Sequence, residues 1–192
     1  MFTEKLRKST VGIAGCGGLG SNCAVALARI GIGKLIVADF DTVSESNLNR
    51  QYFFLSQIGH KKAFALKHNI GLINTNVAVE AHDVKLSPDS VVDLFENCDV
   101  IVEAFDLAEM KQMIIDTVLT HFPDKYMVVG SGLAGWGDNN TLKTEQYDNL
   151  FVCGDQQLEV SPERPPLAPR VGIVANMQAN QVLDIIMNNL KF

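Results

Sequence analysis

The chain has 192 residues, 47% hydrophobic and 20% charged, with a net charge of −6. That length and balance suit one folded domain spanning residues 1–192 with a sizeable core. The acidic balance gives no electrostatic reason to expect nucleic acid or an anionic membrane as partner, and no apolar run approaches the roughly eighteen residues of a membrane helix.

In chain order, Met1–Lys8 is charged and lacks the apolar run of a signal peptide, so none is expected. Val11–Ala14 is a short apolar run that stops at glycine, as a buried parallel strand does. Leu19, Cys23, Leu27 and Ile30 then recur at helical spacing, and Gly31 ends the pattern as a helix-terminating glycine should. Lys34–Ala38 reads as a second strand ending at Asp39. Ala63, Leu66, Ile70 and Ile73 form another helical stripe, and Val77–Ala81 a third strand. In "SPDSVVDLF", Ser87 caps a helix and Pro88 takes its first position. Asp99–Ala104 is a fourth strand, followed by a helix through Leu107, Met110, Ile114 and Val118, and Met127–Gly130 is a fifth. The segment "TLKTEQY" alternates like an edge or antiparallel strand. "SPERPPLAPR" holds four of the six prolines and is expected to be an irregular loop. Ala175, Ala179, Val182, Ile186 and Leu190 mark a last helix.

Repeated β-α units predict an α/β, Rossmann-like, doubly wound sheet. It should be mainly parallel, with helices on both faces and some antiparallel strand in the C-terminal part. Such sheets bind ligands beyond the carboxyl ends of their strands. Gly15, Gly17 and Gly20 fit G-x-G-x-x-G between a strand and a helix, with Gly18 a further permissive position. The spacing serves a tight turn, close approach of backbone to phosphate, and the positive end of a helix. Asp39 follows at the separation of a ribose-gripping acid. The motif alone leaves NAD and ATP both open.

The next residues favour a polyphosphate. Asp39 and Asp41 flank Phe40 in "DFDTVSESNLNRQYFF". Arg50 and Lys62 are cations suited to triphosphate oxygens, and Asp106 ends the fourth strand where a carboxylate could hold a divalent metal. Each has a plainer reading: Arg50 a surface ion pair, Lys62 or Lys61 a solvated lysine, Asp106 a helix cap, Asn47 and Asn49 turn residues. The four cysteines, Cys16, Cys23, Cys98 and Cys153, form no Cys-x-x-Cys pair. A zinc site and a disulfide framework are therefore not expected, and a reducing cytoplasm is.

The pieces "GCGGLGSN", "VADFDTVSESNLNRQ", Gly59-His60-Lys61-Lys62, "DVIVEAFD" and "APRVGIVANMQA" resemble the ubiquitin-activating-enzyme-like adenylyltransferases. That family includes the bacterial enzymes of thiamine and molybdenum-cofactor biosynthesis, and the chain looks closest to the short thiamine-pathway members. The resemblance implies ATP and Mg²⁺ as cofactors and a small ubiquitin-like sulfur carrier ending in Gly-Gly as partner. The carrier's terminal carboxylate would be adenylylated and pyrophosphate released. By position, Asp39 would hold the ribose. Asn47, Arg50 and Gln51 would contact ATP phosphates and their surroundings, Lys62 would lie on the phosphates, and Asp106 would hold Mg²⁺. A homodimer is implied, with Arg7 as a candidate to reach the partner's site. Cys153 is a candidate for a thioester or persulfide link, against the plainer reading of a small buried cysteine. Pro162–Arg170 is a candidate carrier-tail channel or a structural loop.

Overall fold

A computed structural model describes residues 2–190 of the chain. Its strands are β1 (Thr10–Ala14), β2 (Lys34–Ala38), β3 (Ala78–His82), β4 (Val100–Glu103), β5 (Tyr126–Gly130), β6 (Lys143–Tyr147) and β7 (Leu150–Gly154). Its α-helices are α1 (Phe2–Lys8), α2 (Gly18–Arg29), α3 (Lys62–Ile73), α4 (Pro88–Phe95), α5 (Ala108–His121) and α6 (Ala168–Asn188). The strands form one sheet in the order β3-β2-β1-β4-β5-β7-β6. Every neighbouring pair is parallel except β6–β7. This is the Rossmann-like, doubly wound α/β fold that the alternation predicts. The order reverses at β1, between β2 and β4, and opens a crevice at their carboxyl ends.

Side chains alternate across the sheet, which gives two cores. Val11, Ile13, Leu35, Val37, Val100 and Val102 pack with α2, α3 and α6. Ala14, Ile36, Ala38, Ile101, Met127 and Val129 pack with α4 and α5. Both faces of the sheet are therefore dry, and helix ends and loops are left to supply polar groups at its rim.

Local chemistry sets several boundaries. Gly31 follows α2 with φ +83°, where any other residue would be strained. Ser87 caps α4 and accepts the Ser90 N–H. Three expectations need correction. Ser161–Arg170 is not irregular throughout, because Ala168–Arg170 begin α6. Pro169 fits there, since first-turn amides have no intrahelical partner to lose. The third strand is set one residue later than Val77–Ala81, and Leu190 lies past the end of α6. Two elements go unannounced by the sequence reading: α1, and β7, which inserts between β5 and the edge strand β6.

Candidate nucleotide site

The glycine-rich turn lies at the crevice, and each glycine answers a different demand. Gly15 has φ +97°, and a Cβ there would stand 2.9 Å from the Ala104 carbonyl at the end of β4. A Cβ on Gly20 would stand 1.8 Å from the Gly15 carbonyl, so only glycine lets α2 close onto the turn. At Gly18 it would meet Val171 of α6 at 2.9 Å. Gly17 differs: a Cβ there would meet nothing nearer than Gln51 Nε2, at 3.7 Å. Packing within the chain leaves that space open, as close approach of a ligand requires. No side chain caps the amino end of α2, so its first amides remain free to receive an anion.

The segment carrying Arg50 and Gln51 is bolted to this turn by two residues that the sequence reading does not single out. Asn22 donates from Nδ2 to the Gly18 carbonyl at 2.7 Å and to the Arg50 carbonyl at 2.9 Å. Ser21 Oγ donates to the Gly17 carbonyl at 2.6 Å and accepts the Tyr52 N–H at 2.9 Å. Their one sequence signal is that they are polar residues in the first turns of an otherwise apolar helix.

Arg50 lays its stem along Gly18, its Cγ 3.6 Å from where a Cβ would stand. Its guanidinium donates to the Ser46 carbonyl and Asn49 Oδ1, and no carboxylate pairs with it among the described residues. The surface ion-pair reading of Arg50 therefore fails. Gln51 is 9% exposed; its Nε2 is the atom nearest the open space at Gly17, and its Oε1 is buried without a partner. An orphaned amide of this kind costs stability unless a ligand satisfies it. Asn47 Oδ1 accepts the Ser44 N–H, and its carbonyl accepts the Arg50 and Gln51 N–H groups. In this geometry Asn47 shapes the turn that presents both side chains.

Lys62 opens α3 and is only 6% exposed, with Nζ 2.7 Å from Asp41 Oδ2. Lys61 points to solvent instead, where its ammonium meets the Phe40 carbonyl and Asp83. Asp39 accepts the Cys16 N–H at 2.6 Å and the Asp41 N–H at 2.7 Å, stitching the end of β2 to the glycine turn. Burial pushes its carboxyl above the ordinary value, while those two amides and Lys62 pull against the rise. Asp106 is exposed, one residue past Phe105, whose ring lies against Gly15. It does not cap α5: the cap residue is Leu107, with no side-chain bond.

Three candidates lie away from this cluster. Cys153 is fully buried in β7, two strands beyond β4, and burial raises its thiol pKa. That is the opposite of what an attacking thiolate needs. Arg7 sits before β1, at the sheet edge opposite the glycine turn, roughly 16 Å away along the strand. In the Pro162–Arg170 segment, the Pro165 carbonyl accepts the Gly135 N–H, and Arg170 is buried against Asp155. No three His, Cys, Asp or Glu side chains gather as a metal cage among the described residues. Among these residues, too, no helix is long and apolar enough to cross a membrane.

The glycines make a testable pair. Gly20→Ala should destabilise the fold, because backbone must move to admit the methyl. Gly17→Ala should fold like wild type but weaken nucleotide binding by about 1–3 kcal/mol, the usual cost of an overfilled contact. Thermal melts and calorimetric titration with ATP separate the two; equal losses in melting temperature would contradict this division.

A glycine-rich turn at the reversal of strand order, with the Arg50 stem along Gly18 and the buried Lys62 held on Asp41, has the architecture of a Rossmann-like nucleotide crevice. The chain belongs to the ThiF family, whose model matches residues 1–191. It is 31% identical over 184 residues to the probable adenylyltransferase/sulfurtransferase MoeZ of Mycobacterium tuberculosis, covering 95% of this chain and 45% of the relative. It is 29% identical over 187 residues to the molybdopterin-synthase adenylyltransferase of Haemophilus influenzae, covering 95% of this chain and 76% of the relative. The chain thus spans less than half the length of MoeZ and three quarters of the second relative. Among solved structures, the E. coli tRNA N6-threonylcarbamoyladenosine dehydratase TcdA, in complex with ATP, superposes with a TM-score of 0.87 at 20% identity. That match covers 97% of this chain and 88% of TcdA, and it establishes the shared fold.

Proposed function

We propose that the chain adenylylates the C-terminal carboxylate of a small ubiquitin-like sulfur carrier at the expense of ATP. The observation that carries this reading is the open space at Gly17, with the Gln51 amide beside it, the Arg50 stem along the adjacent Gly18, and the buried Lys62 held by Asp41, two residues past the Asp39 that accepts the Cys16 amide of the turn. The names of MoeZ and of the Haemophilus influenzae relative, both adenylyltransferases, support it. A carboxylate oxygen of the carrier attacks the α-phosphorus, the bond to the β-phosphate oxygen breaks, and pyrophosphate leaves with the electron pair. The attacking carboxylate is already ionised at neutral pH, so no protein base is needed. What the reaction requires is charge screening and in-line orientation, which Arg50 and Lys62 supply. Gly17 gives the phosphates and the carrier's terminal glycine room to meet. Asp39 would accept ribose hydroxyls with its remaining lone pairs.

The residues fit a bound Mg²⁺. The exposed Asp106 carboxylate has no hydrogen-bond or ion-pair partner among the described residues, and such ions take one or two carboxylates plus phosphate oxygens. When bound, the ion supplies neutralisation of phosphate charge. Resemblance to the thiamine-pathway members and the molybdopterin-synthase name of one relative point to different pathways, so the proposal commits to the carrier class. We further propose that the working unit is a homodimer. From Pro169 to Asn180, Arg170 is the sole charged residue and it is buried, leaving an uncharged outer strip on α6 suited to meeting its own copy.

The deciding experiment is ATP–pyrophosphate exchange with a candidate carrier ending in Gly-Gly. Exchange that depends on carrier and Mg²⁺ is expected, and Asp106→Asn should lower it about 10²-fold or more, since loss of metal-borne charge stabilisation costs several kcal/mol. No exchange while both substrates bind would refute the proposed chemistry.

A further inference from the structure

Helix α3 is apolar on two sides. Its inner face buries Ala63, Leu66 and Ile70 in the core. Its outer face carries Phe64, 52% exposed, and Leu72, 74% exposed. The preceding segment adds Phe54, Leu55 and Ile58, all exposed, around a short 3-10 turn at Leu55–Gln57. One exposed leucine needs no explanation, but Phe54, Phe64 and Leu72 line one recess, with Leu55 and Ile58 exposed on the same short turn, and apolar surfaces of this kind mark contact sites.

The patch is a recess with a fixed floor. Gln57 and Asn69 exchange side-chain hydrogen bonds in both directions, at 2.7 and 3.1 Å, beneath it. Asn69 also donates to the Tyr52 carbonyl. These buried amides lock the 3-10 turn against α3, so the groove is preformed, and a partner would not have to order it.

Its charge is one-sided. Residues 46–79 contain no Asp or Glu, although the chain carries 22. Lys61, paired with Asp83, and Lys67, with no ion-pair partner among the described residues, are exposed on or beside the groove together with His60 and His68, and no acid lines it. A two-fold contact between copies would set this basic rim against itself, which like-charge repulsion disfavours. An anionic bilayer fits poorly as well: the apolar side chains line a recess, and the whole chain is at −6.

We propose that the groove between the Leu55–Gln57 turn and α3 docks a different protein, which lays an amphipathic helix with an apolar stripe and acidic flanks along α3. A helix fits better than a strand, because the groove runs beside a helix and offers no sheet edge for strand addition. The inference is independent of the adenylylation reading, since none of its residues belongs to the cluster over Gly17.

The test uses two labelled synthetic helices, each about five turns long, with identical Leu/Phe anchors and either Glu or Lys flanks. Fluorescence anisotropy should show the Glu-flanked helix binding in a salt-sensitive way and the Lys-flanked helix binding at least about tenfold more weakly. Phe64→Ser and Leu72→Glu, both at exposed positions, should abolish binding while leaving the melting temperature and ATP affinity unchanged. Equal binding of the two helices, or binding of neither, overturns the proposal. So does a wild-type dimer in sedimentation that Leu72→Glu alone makes monomeric, or pelleting with phosphatidylserine vesicles that Leu72→Glu abolishes.

Discussion

Lys62→Ala should lower ATP–pyrophosphate exchange by about 10²–10³-fold, the usual cost of removing one fixed group that stabilises transition-state charge. The size of the effect follows from where the ammonium sits. Lys62 is 6% exposed at the first residue of α3, and Asp41 holds its Nζ at 2.7 Å. A buried, oriented charge acts in a medium that screens it weakly, so no mobile surface lysine can replace it. Lys61 is the control. Its ammonium is spent on the Phe40 carbonyl and Asp83, so Lys61→Ala should leave exchange within about twofold, as surface substitutions usually do. Asp41 is half exposed and keeps its water when Lys62 is lost, so the variant should fold. Lys62→Arg should recover little, because a planar fork does not fit a pocket shaped around a point charge. Exchange rates for the three variants, with ATP affinity by calorimetry, decide the matter; an unimpaired Lys62→Ala would remove Lys62 from the chemistry.

The choice between Lys61 and Lys62 also shows where sequence reading stops. Lys61 stands in extended backbone just before α3 and Lys62 opens the helix, so one side chain turns to water and the other is buried. Nothing in "HKKAFA" fixes that phase, since α3 is apolar on both sides and its pattern has no dominant face. The glycine turn was legible because part of its constraint is local: Gly15 takes a positive φ and Gly20 must clear the Gly15 carbonyl, whereas the contacts of Gly15 with Ala104 and of Gly18 with Val171 are tertiary. Ser21 and Asn22 were not, because their partners Arg50 and Tyr52 stand about thirty residues on, and no local pattern encodes that meeting. In the fold, the parallel strands ended at glycines or acids and were separated by helical stripes. The five residues of β7 carry no alternation, and their place between β5 and β6 is set by tertiary pairing. The plainer reading of Arg50 failed for a related reason: a free arginine and a paired one look alike until the surrounding carboxylates are located.

The largest loss of stability should come from a residue outside the nucleotide cluster, Arg170. It is 2% exposed, pairs with Asp155, which is 4% exposed, and also donates to the Gly137 carbonyl. Removing one member of a buried pair strands the other, at a cost of about 3–5 kcal/mol. For a chain of this size, Arg170→Met should therefore lower Tm by roughly 6–20 °C. The double variant Arg170→Met/Asp155→Leu should recover part of that, since it leaves no orphaned charge. Acid gives a second readout. Burial raises the Asp155 carboxyl pKa, but the Leu158 and Gln157 amides and Arg170 outweigh it and hold the value below the ordinary one. A depressed native pKa contributes stability that is complete above the unfolded value, about 3.9, and is lost as pH falls through the native value. Without Arg170 the native value rises, so acid unfolding should begin at higher pH. The chain's one tryptophan, Trp136, lies beside Gly137 in the loop that Arg170 ties down, and it is 64% exposed. Its fluorescence should report that loop loosening at a lower temperature than the far-ultraviolet signal of the sheet. Coincident transitions at the wild-type temperature would show that the pair contributes nothing, and that the buried ions only specify how the Pro162–Arg170 segment is laid down.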